Sequence, residues 1–521
     1  MTDLPKETDV AIVGAGAAGS YFAAELAAAG RKVDVFDAGP AWSVDDLISS
    51  QIWARRIKWG GAPVERGGDH PLGHNMNMGW GFGGAALHHY ASWPRLHPDD
   101  FQTASRFGKG VDWPISYEDL QPHYDAVQSD VGVSGDAKAE EHRPPGAAYP
   151  MPPLQAFSGG RLLSKGFEDL GMKVYPAPMA VTSTVYGDRP PCVYDGWCDA
   201  GCPVGALANP LVTHLPKARK SGARFHSAAD VRQLNRAKDG RIRSLTLVNG
   251  SGEERTIFAN AFVLAAGAVH NVRLLFETAG VGGRALGDAN GLLGRRFGSH
   301  LIANVYALLD EETEPHLGLS AGSLMTQARH DETSDAAYGA VTWGIGPAIK
   351  PNDLLGIAVA RSDLFGPELD KFMKKAVRHI AAANGICEAV FSDQSRLEPS
   401  GSRDARGRPI IRIVHQASPE TLSLWAEANR KGLAAARLVG AEEPWITPQP
   451  TVSHALGGSV MGASPETSVT DPYGRLHEAP NVVVAGSGLF CSSGAVSPTF
   501  TILALARRTA REMIARPEEF A

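Results

Sequence analysis

A chain of 521 residues with 43% hydrophobic content can bury a large core, which excludes a disordered protein and suits two intimately associated domains. The formal net charge of −6, with no Lys/Arg cluster interleaved with aromatics, excludes nucleic acid as a partner and leaves small molecules and proteins. No apolar run reaches the roughly 18 residues of a membrane span, so any membrane contact is expected only through partners.

The first predicted strand is Asp9–Val13, and the segment ahead of it, Met1–Thr8, is too short for a secretory leader. Gly14-Ala-Gly16-Ala17-Ala-Gly19 follows, then an Ala-rich helix predicted from Ser20 to Ala29. In such a strand–turn–helix unit Gly14 allows the tight turn, Gly16 lets a pyrophosphate approach the backbone, and Gly19 permits close helix–strand packing. The helix start supplies positive dipole beside Ala17. A second strand, Lys32–Phe36, ends at Asp37, where a carboxylate can accept from ribose hydroxyls. Strand, spacing and acid together predict dinucleotide binding, and their place at the start of the chain favours FAD over NAD.

A second glycine-rich stretch runs Gly81-Phe-Gly83-Gly84-Ala-Ala-Leu-His88-His89, and Asp112-Trp-Pro-Ile-Ser with a helix through Tyr124 to Val131 comes next. Near mid-chain, three of the five cysteines fall in eleven positions, as Cys192-x5-Cys198-x3-Cys202-Pro203. Such a run can converge three thiolates, and Pro after the last Cys is a feature of ferredoxin-type iron–sulfur runs. A structural zinc site, a disulfide with a spare thiol and chance clustering stay open, as does a fourth ligand from Cys387 or Cys491.

Further along are Ala229-Asp-Val231 and a predicted strand from Ala261 through Ala266 and Gly267 to Asn271. Alternating apolar stretches between about 300 and 445, such as Ala340–Ile345 and Ile410–Val414, predict a largely antiparallel sheet roofing a substrate pocket. Arg396-Leu-Glu398 to Pro409 lies between them. Last come Ser453-His454-Ala-Leu-Gly457-Gly458 and Val482-Val-Val-Ala-Gly486-Ser487-Gly488, followed by Ser497-Pro498-Thr499.

Taken together, these segments resemble the glucose–methanol–choline flavoprotein oxidoreductases over nearly the whole length. The similarity is to the bacterial branch of FAD-dependent glucose, fructose, sorbitol and gluconate dehydrogenase large subunits. The resemblance implies an α/β fold: a discontinuous Rossmann-like FAD-binding domain (1–110, 190–300 and 445–521, carrying the cysteines) with an α+β substrate domain (111–189 and 301–444) on a largely antiparallel sheet.

The resemblance also implies roles. Gly83, Gly84 and His88 would pass close to the flavin ring, His88 at a position where some relatives carry a covalent tether. Val231, Ala266, Gly267 and Asn271 would hold the adenosine half, and Gly486, Ser487, Pro498 and Thr499 would close over the flavin. His454 would be the base that removes the hydroxyl proton as hydride leaves for flavin N5. Two departures stand out: many relatives place an acid where Gly486 stands, and the position before Pro498, normally Asn or His, is Ser497. Its hydroxyl is shorter but can still donate one hydrogen bond in a catalytic role.

In the same branch Cys192, Cys198 and Cys202 would hold a 3Fe-4S cluster relaying electrons to a cytochrome acceptor. The implied enzyme is a dehydrogenase of a sugar, sugar acid or glycoside. Its partners would be a small subunit with a twin-arginine signal and a cytochrome c, and it would be exported folded to the periplasm. The alternatives are an oxidase of the same fold using oxygen, a non-catalytic flavin electron-transfer subunit, and a cytoplasmic location.

Overall fold

The computed structural model describes residues 4–333 and 337–521. Among them the strands form sheets of eight, seven and three members. The eight-stranded sheet is centred on Glu7–Val13, which pairs in parallel with Val33–Phe36 on one side and Glu254–Leu264 on the other. Arg224–His226 and Ala479–Val484 extend it in parallel. Their continuous apolar runs are those of strands covered on both faces, and Ile12, Val35, Phe262 and Val483 are fully buried.

The first helix, Ala17–Ala28, lies against this sheet, and Thr499–Ala515 and His214–Lys220 pack beside it. Closeness at the turn is set by two glycines. A Cβ on Gly19 would stand 1.9 Å from the Gly14 carbonyl oxygen, and one on Gly14, itself at φ +102°, would stand 2.6 Å from that of Ala265.

The seven-stranded sheet is antiparallel throughout, with Gly298–Leu308, Ile380–Cys387, Val341–Ile345 and Leu324–Ala328 in succession. Its two faces alternate with the strand period of two. Val305, Trp343, Ile345 and Ala383 point into a core closed by the helices Ser158–Asp169 and Pro419–Leu438. Those helices come within glycine distance: a Cβ on Gly166 would meet the Ala435 carbonyl oxygen at 2.0 Å, and one on Gly432 would meet the Trp343 ring at 2.7 Å.

Several expectations need correction. The strand predicted from Ala261 to Asn271 ends at Leu264; Gly267, at φ +83°, opens the helix Gly267–Phe276, repeating the strand–turn–helix plan of the first unit. Ile410–Val414 does not join the roofing sheet. The strand Pro409–Val414 pairs in parallel with Val64–Gly67 and antiparallel with Arg396–Arg403, and Ile411 and Ile413 bury themselves in the larger core. Period-two alternation marks a strand but not its partner, so this error is inherent in the signal.

The helix Tyr117–Val131, placed with the substrate domain, packs on Thr499–Ala515, with a 2.6 Å hydrogen bond between the Tyr124 and Thr501 hydroxyls. Trp445–Ile446 and Thr451–Leu456, placed with the FAD domain, pair with Gly298–Leu308 in the roofing sheet.

Candidate active site

Between the two large sheets lies a cavity of about 1060 Å³. This is the upper end of the size range of small-molecule sites. Its walls gather residues from both ends of the chain: Gly14, Gly16, Ala17, Asp37, Gly84, His88, Val231, Ala266, Gly267, His454, Gly486, Ser487, Ser497, Pro498 and Thr499.

Three expected contacts stand behind the wall. Gly19 is the helix-packing glycine already described. The Gly83 N–H donates to the Ala15 carbonyl, and its φ of +92° turns the chain so that Gly84 faces Gly16. Asn271 braces two loops, its Oδ1 accepting from Ala266 N–H while its amide donates to the carbonyls of Leu264 and Ala485.

The glycines test whether a dinucleotide fits. A Cβ on Gly16 would find nothing nearer than the Gly84 Cα at 3.9 Å, so no atom of the protein demands a glycine there. What lies in front of it is cavity, and the helix Ala17–Ala28 begins at that wall without a side-chain cap, leaving N–H groups for an anion. Asp37 accepts from the N–H groups of Ala15 (2.9 Å) and Gly39 (2.8 Å). Burial nevertheless raises its carboxyl above the ordinary range, so further donors such as ribose hydroxyls would be favourable.

His88 is buried with its Nε2 unpartnered, and burial together with the charge of Lys58 lowers it to about 3, so it is neutral. His89 also lines the cavity, its Nε2 lying 3.2 Å from the Ala208 carbonyl oxygen. The chemistry of this donor set fits a flavin dinucleotide.

His454 projects from the strand Thr451–Leu456, which is irregular at that point: the ladder to Gly298–Leu308 shifts register between Ser453 and Leu456. His454 takes φ +72°, a left-handed conformation costly for a residue with a Cβ and common where function dictates placement. Its Nδ1 lies 2.9 Å from Nδ1 of His300, on the facing strand, and His300 Nε2 lies 3.0 Å from the Gly494 carbonyl oxygen. Burial, with His300 adding to it, holds His454 well below the usual imidazole range, and burial lowers His300 to about 4. Both rings are therefore neutral at physiological pH. Ser497 shares the cavity wall with His454, immediately before the helix Thr499–Ala515.

The roof is the other face of the seven-stranded sheet. Ile302, Asn304, Thr342, Ala382, Asn384 and Ile386 line the cavity, alternating with the residues buried beneath the helices. Sequence reasoning located the sheet but not these side chains, since which alternate set faces inward depends on what covers each face. It also missed Arg406, which lines the cavity and stacks on Trp80 at 4.9 Å.

The cysteine run sits beside the cavity, with Asp199 reaching its wall. Asp199 pairs with Lys58 at 2.7 Å, and Lys350 lies 3.7 Å away, over the Trp197 ring at 4.8 Å. Tyr194, Gly196, Gly201, Cys202 and Gly205 all have positive φ, so the run is tightly coiled. Tyr194 N–H donates to Cys192 Sγ at 3.3 Å, and Leu207 N–H to Cys202 Sγ at 3.4 Å.

Burial pushes the thiols of Cys192 and Cys198 up to about 11 and about 12, so only a bound cation or cluster would hold them as thiolates at neutral pH. Among the described residues all five cysteines are free thiols. Cys387 packs in the core behind the roofing sheet, and Cys491 donates to the Met461 carbonyl, so neither supplies a fourth ligand. The three sulfurs of the run are not all within 4.8 Å of one another; among the described residues only Asp100, His330 and Glu388 form such a group. That group is an ion-pair network, Asp100 meeting Arg329 at 3.1 Å and His330 meeting Glu388 at 2.9 Å.

With this geometry in hand the comparisons are specific. Residues 392–506, which include His454, Ser497 and the Gly486 loop, match the family model of the GMC oxidoreductases. These residues are those of a GMC oxidoreductase. Residues 12–43 match the NAD(P)-binding Rossmann-like domain. Among curated proteins, the fructose dehydrogenase large subunit of Gluconobacter japonicus is 26% identical, over 98% of each chain. The 2-methyl-1,2-propanediol dehydrogenase of Mycolicibacterium austroafricanum is 27% identical, over 98% of this chain and 95% of its own. A solved structure of the formate oxidase of Aspergillus oryzae, from work on modification of its FAD, covers 100% of both chains with a TM-score of 0.70 at 12% identity. With this domain and these relatives the chain is a flavoprotein oxidoreductase acting on CH–OH groups of sugar or alcohol substrates.

Proposed function

We propose that the protein is a dehydrogenase of a polyhydroxylated substrate, a sugar, sugar acid or glycoside, with His454 as the base that takes the hydroxyl proton. The observation that carries this reading is the convergence of His454, Ser497 and the glycine walls on one cavity whose roof presents Asn304, Thr342 and Asn384 from three adjacent strands. Amide and hydroxyl groups on a rigid sheet suit recognition of several hydroxyls at once.

Bound FAD supplies the two-electron acceptor for the carbinol hydride. The chain's part is to hold the carbinol between His454 and Ser497, to keep His454 neutral by burial, and to exclude bulk water beneath the roof. Removal of the imidazole should lower substrate-driven flavin bleaching by about 10²–10⁴-fold, the usual contribution of a positioned base. Bleaching by a sugar panel that survives His454→Ala at near the wild-type rate would overturn the assignment.

We further infer that Cys192, Cys198 and Cys202 hold a 3Fe-4S cluster. What supports the reading is three thiols within eleven positions beside the cavity, with the N–H groups of Tyr194 and Leu207 donating to Cys192 and Cys202 and so favouring sulfur that carries negative charge. Such a cluster supplies one-electron relay chemistry. Iron at about three per chain supports the reading; flavin without iron, and peroxide formed in step with turnover, would favour the oxidase.

Partner subunits, including a cytochrome acceptor, belong to the same proposal. Its support is the exposure of large apolar side chains, Ile52, Val359 and Phe365 at 83%, 79% and 77%, the helix that bears Ile52 packing against Cys198–Ala200 of the cysteine run. Hydrogen bonds of Ser49 to Asp195 and Asn352 to Gln51 hold these segments together. Export to the periplasm as a folded complex is part of the same proposal, and it would let the cluster be assembled first in a reducing compartment. Fractionation of cells expressing the complete complex tests it.

A further inference from the structure

We propose that His300 is a positioning residue that fixes the tautomer of His454, leaving Nε2 of His454 as the bare nitrogen that receives the substrate proton. This rests on the reading of His454 as the base. His300 itself does not line the cavity; it stands behind His454, fully buried.

Donors and acceptors around the two rings decide the tautomer. The Gly494 carbonyl oxygen, 3.0 Å from His300 Nε2, has no proton to give, so Nε2 carries one. Burial keeps His300 neutral, lowering it to about 4, so its Nδ1 is a lone pair. The 2.9 Å contact between the two Nδ1 atoms then needs its proton from His454. A neutral His454 that donates from Nδ1 has an unprotonated Nε2. In the proton-transfer step the substrate O–H bond breaks and a bond from Nε2 to that proton forms, while the Nδ1–H stays donated to His300.

His300 is itself placed by backbone. The strand pairing sets His300 opposite Ser453, and the Ser299 hydroxyl donates to the Ser453 carbonyl at 2.9 Å. The two rings meet edge to face, at 89° with centroids 5.0 Å apart, so His300 fixes the plane of His454 as well as its proton. The Gly494 carbonyl is held from behind: Ser493 Oγ donates to it at 2.8 Å, and a Cβ on Gly494 would lie 2.9 Å from Asp100 Oδ2.

The test is nitrogen-15 NMR of the FAD-loaded protein labelled at histidine, with the His454 signals assigned by their loss in His454→Ala. The expected spectrum at neutral pH has His454 protonated at Nδ1 and bare at Nε2. An Nε2–H tautomer or an imidazolium there would overturn the proposal without any variant of His300.

Two variants then separate positioning from mere support. His300→Leu keeps bulk but offers no acceptor, and should shift His454 toward the Nε2–H form while lowering kcat by roughly 10²-fold, at the low end of a base's contribution, with KM little changed. His300→Gln, whose amide can accept from His454 and donate to Gly494, should restore both the tautomer and most of kcat. Retention of tautomer and kcat in His300→Leu would overturn the role of His300 while leaving His454 as base. Retained bleaching in His454→Ala would instead remove the base assignment on which it rests.

Discussion

A methyl group added at Gly16 and one added at Gly19 should have opposite effects. At Gly19 the new Cβ would meet the Gly14 carbonyl at 1.9 Å, so Gly19→Ala must push the first helix off its strand and lower Tm. At Gly16 the nearest protein atom would be 3.9 Å away and the backbone is extended, so Gly16→Ala should fold with near-unchanged Tm and yet retain far less flavin after gel filtration. Loss of Tm in both, or retention of flavin in both, would contradict the assignment of Gly16 to the cofactor.

His454 carries a second prediction at this scale. Because its pKa lies well below the ordinary imidazole value, the base stays unprotonated as pH falls through about 6.5. The rate of flavin bleaching should hold constant across that range, and a fall centred near 6.5 would show that the base is not buried during turnover. The sequence disclosed His454 through the block around it, but not His300. Nothing near His300 marks it; its importance comes from a strand register that places it against a residue 154 positions away.

The roofing strands make the next scale visible. Along Ile380–Cys387, Ala383 enters the core beneath the helices while Ala382, Asn384 and Ile386 face the cavity. Asn384→Leu should therefore raise KM for a polyol by about 10-fold or more with little change in Tm, since one or two hydrogen bonds of about 1.4 kcal/mol each are at stake. Gly432→Val, on the helix above, should do the reverse, because its side chain would enter the Trp343 ring at 2.7 Å: Tm falls and KM of the surviving fold stays put. Parallel measurement of KM and Tm for the two variants checks both.

Elements were more legible than their neighbours. The first strand, glycine turn and helix were readable because local chemistry specifies them: tight turn, close approach, apolar run. Val341–Ile345 was readable as a strand for the same reason. The partner of Pro409–Val414 was not, since Val64–Gly67 lies over 340 positions away and pairs with it through backbone groups common to every sequence.

The whole molecule holds several histidines neutral at once. Burial lowers His89 and His300 to about 4 and His97 to about 3, against an ordinary value near 6.5. The unfolded chain thus binds more protons than the folded one below about pH 6.5, so folding stability falls as pH falls from there toward 4. Each such histidine adds up to about 1.4 kcal/mol per pH unit. Chemical denaturation at pH 7.5 and pH 5 should show a clearly lower midpoint at pH 5, before most carboxylates begin to titrate. An unchanged midpoint would mean that these rings are protonated within the fold.

The alternation of the roofing sheet also governs how such a chain can diversify. Point substitutions at the cavity-facing positions can exchange one substrate for another while the intervening residues keep the core intact, so specificity can drift in small steps. A single-residue insertion or deletion inside one of these strands has no such freedom, because it turns the amides toward the helices and the apolar residues toward the substrate in one event. Descendants of this chain should therefore differ in length at the loops that join the roofing strands and differ only in letters along the strands themselves.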